Sequence, residues 1–107
     1  MKVGTEMHDS LLNMLRGLLK EMDYVQSQGA GYYSCSPFAK RFNKLAAEAA
    51  RCLGEGNALM QTFDPLEETD PKDTAEKSKR LLGIRIEIGQ LIALLESTRP
   101  QRVEPGN

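Results

Sequence analysis

The chain has 107 residues, enough for one compact domain and too few for two. Hydrophobic residues are 40% and charged residues 27% of it, an ordinary globular balance that excludes disorder throughout. Its 14 Lys and Arg nearly cancel its 15 Asp and Glu, so no broad field draws it to nucleic acid or an anionic membrane. Binding of either kind would need a local patch, and nucleic acid is not an expected partner.

The first nine residues lack the basic segment and apolar run of a signal peptide. No stretch reaches the roughly 18 apolar residues of a membrane span. The expectation is a cytoplasmic protein without a membrane partner. Cys35 and Cys52 agree with it: a helix between them would hold them roughly 20 Å or more apart, beyond disulfide reach.

The first helix is predicted over 7–28. Leu11, Leu15, Leu18, Met22 and Val25 recur by fours and threes, Leu12 and Leu19 widen the stripe, and Asp9, Asn13, Arg16, Lys20 and Asp23 fall opposite. Thr5 or Asp9 is placed to cap its start. The run Gln28-Gly29-Ala30-Gly31 ends the pattern, because glycine takes the positive φ that helix ends often need.

Ser36-Pro37 is a strong start for a second helix, predicted over 37–63. Phe38, Phe42, Leu45, Ala49 and Cys52 form its stripe, with Ala46 and Leu53 beside it. The run Gly54-Glu55-Gly56-Asn57 reads as a break, yet the stripe resumes in phase at Leu59, Met60 and Phe63. The reading adopted is therefore one continuous helix in which Gly56 admits a close neighbour. The alternative is a short break and two helices.

Asp64-Pro65 stops this run, and Asp70-Pro71 opens a third helix over 71–98, with Asp73 and Glu76 near the positive end of its dipole. Gly83-Ile84-Arg85-Ile86-Glu87-Ile88-Gly89 alternates like a strand, but nothing elsewhere offers it a partner, so helix is preferred. Read as helix, the segment carries two apolar seams on nearly opposite sides: Leu81, Ile84, Ile88, Leu91 and Leu95, and then Leu82, Ile86, Gly89 and Ala93. The second seam suggests self-association, since an exposed apolar strip is otherwise a liability. The competing reading is that helices 1 and 2 flank helix 3 on both sides. Residues 100–107 are expected to form a flexible tail after a helical domain over 1–99.

Candidate chemistry is sparse. His8, the single histidine, sits in the first turn of helix 1 and reads as solvated. Cys35, near a helix N-terminus, is the likelier reactive thiol, whereas Cys52 reads as core. Asp64, Glu67, Glu68, Asp70, Asp73 and Glu76 form an acidic connection without the order of a calcium loop. Lys40, Arg41, Lys44 and Arg51 on helix 2 are a candidate anion or nucleic-acid patch, interrupted by Glu48 and Glu55. Tyr32 and Tyr33 are a candidate partner-docking knob, or else they close the open end of the bundle.

The sequence thus predicts an all-α protein: an antiparallel bundle of three long helices, completed by homodimerisation through Leu82, Ile86, Gly89 and Ala93. Its expected role is protein–protein interaction or regulation, without catalysis, cofactor or metal. The alternatives are a nucleic-acid binder using helix 2 and a bundle that binds a small ligand or a metal.

Overall fold

The computed structural model describes residues 3–29, 33–54 and 56–99, with side chains described from Glu6 onward. Three helices form: α1 over Val3–Ser27, α2 over Ser36–Leu53 and α3 over Thr74–Thr98. Among the described residues there is no strand, and Gly83 to Gly89 lies inside α3 as the helical reading requires. No helix of the described chain is long and apolar enough to cross a membrane.

The predicted stripes are the core. Leu11, Leu12, Leu15 and Met22 of α1, Phe38, Phe42, Leu45 and Ala49 of α2, and Leu81, Ile84, Ile88, Leu91 and Leu95 of α3 are all buried in one cluster. Each helix buries the face that its spacing of fours and threes lines up, because that face is its apolar one. Gly29, at φ 92°, takes the left-handed conformation just beyond α1, as expected of a glycine there.

The second helix ends at Leu53, ten residues before the predicted Phe63. Gly54 adopts φ 95° and ψ 144°, a backbone shape that only glycine enters without strain, and donates its amide to Ala50 O. Beyond the break only the 3₁₀ turn Met60–Thr62 is helical. Gly56 is exposed, with nothing near the position a Cβ would take, so close helix packing is not its role. The stripe resumes in phase for a different reason: the returning chain lays Met60 and Phe63 back against α2. Met60 is buried, and the Phe63 ring sits 6.3 Å from that of Phe42.

Early termination of α2 leaves residues 56–73 to carry the chain back along the bundle. Asn43 on α2 clamps this return strap: its Nδ2 donates to Leu66 O at 2.8 Å and its Oδ1 accepts from Leu66 N at 2.8 Å. Asp70, predicted to open the third helix, serves α2 instead, accepting from the amides of Cys35 at 2.5 Å and Ser36 at 3.2 Å. Asp73 caps α3 by accepting from Glu76 N at 3.1 Å, so that helix begins at Thr74 rather than Pro71.

Contacts at the two ends fix the order of the helices. At one end, Cys35 before α2 donates its thiol to the carbonyl of Lys77 in the first turn of α3. At the other, His8 of α1 touches both Cys52 of α2 and Thr98 of α3. Helices α2 and α3 therefore begin at the same end and finish together where α1 begins. Helix α1 thus runs opposite to the other two.

Candidate functional site

The second seam of α3 lies outside the core. Leu82 is 55% and Ile86 53% exposed, and Gly89 and Ala93 are exposed beyond them. Neither α1 nor α2 covers this side, so the reading in which two helices flank α3 does not hold. Single exposed apolar side chains need no explanation, but two on consecutive turns in line with two small residues make a strip.

The strip runs into a groove. Leu59, Thr62 and Phe63 of the return strap stand along one side of it, and Gln90, Ala93, Leu94 and Ser97 of α3 form the other, enclosing about 370 Å³. Ala93 belongs to both features, and Leu59 is itself 59% exposed, so strip and groove make one apolar surface. Lys79 and Glu96, both exposed, lie near the two ends of the strip. Lys79 is 3.6 Å from Glu76, and Arg16 donates to Glu96 at 2.5 Å.

The other candidate surfaces separate. Tyr33 is buried in the core and so offers no exposed docking knob, while Tyr32 lies outside the described residues. Lys40, Arg41, Lys44 and Arg51 are exposed along α2, and Arg51 is engaged by Glu48 at 3.1 Å. The buried Tyr33 cannot stack a base beside them.

The acidic connection is dispersed by its structural work. Asp70 and Asp73 serve the helix starts described above, Glu68 accepts from Asn43 at 2.9 Å, and Glu67 lies 3.6 Å from Arg80. Among the described residues, no three His, Cys, Asp or Glu side chains converge as metal ligands. A second groove of about 450 Å³ lies between this strap and α3, with Leu66 and Ile84 among its lining and Asp64, Glu67, Arg80 and Glu87 around it.

Burial of the two cysteines runs opposite to the sequence expectation. Cys35 is buried, and burial first, then the nearby Asp70, pushes its thiol up from the ordinary value of 9.0. The helix N-terminus does not activate it, because the Asp70 carboxylate already occupies the free amides. Cys52 is only partly buried and faces His8 Nδ1 at 3.4 Å.

His8 itself is only 3% exposed, not solvated. The signal for this was present in the sequence: His8, Leu12 and Leu15 are spaced by four and three, so the imidazole belongs to the buried stripe of α1. Thr98 Oγ1 lies 3.4 Å from His8 Nε2, while Asp9 accepts from Arg99 Nε at 2.8 Å one residue further along both helices.

No protein-family model, curated protein or solved structure matches the chain, so its function is argued from these surfaces alone.

Proposed function

We propose that the protein is a non-catalytic interaction module that works as a homodimer, with the exposed strip of α3 as the self-association face. The observation that carries this reading is the strip itself: two half-exposed branched side chains in line with two small residues on an otherwise amphipathic helix. Its pattern is self-complementary. Leu82 and Ile86 are large and lie toward the start of α3, whereas Gly89 and Ala93 are small and lie toward its end.

Pairing two α3 helices antiparallel about a two-fold axis between Glu87 and Ile88 sets Leu82 against Ala93 and Ile86 against Gly89. Large meets small at each level, and each contact recurs across the axis as in an isologous interface. The same axis sets Lys79 opposite Glu96, which gives attraction at each end. Leu82 of one copy then reaches the groove formed by Leu59, Phe63, Ala93 and Leu94 of the other. A helix-on-helix partner of another sequence would match this register only by coincidence; a second copy matches it by symmetry.

Two free cysteines suit the reducing, cytoplasmic setting expected for such a module. The nucleic-acid reading retains the exposed basic residues of α2, but Tyr33 in the loop before that helix is buried and offers no face for stacking. The ligand-binding reading has surface grooves, without a buried set of convergent polar groups among the described residues to fix an orientation.

Cysteines introduced singly at Leu82 and Ala93, in a Cys35→Ser, Cys52→Ser background, test the register. Mixing the two variants under mild oxidation is expected to give a covalent 82–93 heterodimer. Either variant alone is expected to give much less, since like positions sit roughly 16 Å apart along the axis. Equal cross-linking in all three samples, or none, contradicts the proposed pairing.

A further inference from the structure

The corner where α1 begins and α2 and α3 end brings a cysteine against a histidine. Cys52 Sγ lies 3.4 Å from His8 Nδ1, and Thr98 Oγ1 lies 3.4 Å from His8 Nε2. The hydroxyl of Thr98 donates its proton to Leu94 O at 2.7 Å. Thr98 therefore meets the imidazole only as an acceptor, which places the ring proton on Nε2. With Nε2 donating to Thr98, Nδ1 faces the thiol of Cys52 and can accept its proton. A nucleophile, a base within reach and a third group that orients the base are the elements of an activated cysteine.

We propose that Cys52 is a peroxide-reactive thiol for which His8 serves as the general base and Thr98 as the residue positioning that base. In the step, Sγ attacks one oxygen of hydrogen peroxide and the O–O bond breaks. His8 Nδ1 takes the thiol proton and returns it to the departing hydroxide, so the products are a Cys52 sulfenic acid and water. Peroxide is the oxidant and the sulfur is oxidised by two electrons.

Burial holds the Cys52 thiol above its ordinary value, and that thiol lies against the His8 ring. The base then acts during attack, not by forming a thiolate beforehand. Cys35 sits at the far end of α2, roughly 25 Å away by helix rise, so it cannot resolve the sulfenic acid within the chain. Reduction falls to a small external thiol.

The test exposes the folded wild type to hydrogen peroxide at neutral pH, traps sulfenic acid with dimedone and reads each cysteine by mass spectrometry. The adduct is expected at Cys52, with Cys35 left reduced. His8→Gln is expected to slow adduct formation at Cys52 by about tenfold or more, and Thr98→Val to slow it severalfold. If His8 matters only for packing, its replacement loosens the corner and the rate at Cys52 rises; a rise or no change overturns the proposal. A measurement on the wild type alone guards against misfolded variants. Cys52 in the folded chain is expected to react faster than in the urea-unfolded chain, and a slower reaction, that of a merely shielded thiol, overturns it.

Discussion

Asp70 shows how a single carboxylate can be assigned to the wrong helix. Asp-Pro is a frequent helix opening, and the 70–71 pair reads that way in sequence, yet its carboxylate holds the amides of Cys35 and Ser36, some 35 residues earlier. This contact ties the return strap to the start of α2 while satisfying amides that the helix leaves without partners. Asp70→Ala is expected to destabilise the fold by about 1 kcal/mol, seen as a lower urea midpoint with an unchanged slope. An equal loss from Asp73→Ala would be unsurprising, since that residue caps α3. No loss from Asp70→Ala would show that water replaces the carboxylate there. At this scale the sequence was partly legible. The position of His8 on the α1 stripe was open to reading, but its contact with Cys52 joins residues 44 apart and lay beyond any local pattern.

At the scale of elements, the three amphipathic stripes identified the helices and their buried faces, because burial of an apolar face dominates helix stability in a small bundle. The boundary of α2 was the failure, and Gly54 is its cause. Periodicity continued through 54–57, but periodicity records which side chains are buried and not whether the backbone between them is helical. Gly54→Ala is expected to cost about 2 kcal/mol, because alanine at φ 95° is strained. Gly56→Ala, at an exposed position with open space around it, is expected to change stability little. Chemical denaturation of the two variants side by side checks both, and equal effects would contradict the different roles assigned to these glycines.

At the scale of the whole molecule, the return strap decides what is covered and what is not. It lies beside α3 along Gly83, Ile84 and Glu87 and again along Gln90 and Leu94, leaving Leu82, Ile86 and Gly89 in the open. The sequence disclosed that α3 is apolar on two sides, but not the path of the strap, because Met60 and Phe63 fit equally well on a continued helix. Nor did it disclose that α2 and α3 share a direction, which follows from the length of that return. Burying the exposed halves of Leu82 and Ile86 offers about 1 kcal/mol for each side chain, so four of them across a two-fold axis, together with the grooves, suit a dimer in exchange with monomer.

The most direct measurement is sedimentation equilibrium of the wild type and of Ile86→Glu over a range of loading concentrations. The account predicts a wild-type mass that rises toward twice that of the chain as concentration increases. It predicts an Ile86→Glu dissociation constant higher by about a hundredfold or more, equivalent to about 3 kcal/mol, with the helical signal unchanged. A wild type that stays monomeric throughout, or a dimer indifferent to glutamate at position 86, contradicts the assignment of α3 as the self-association face.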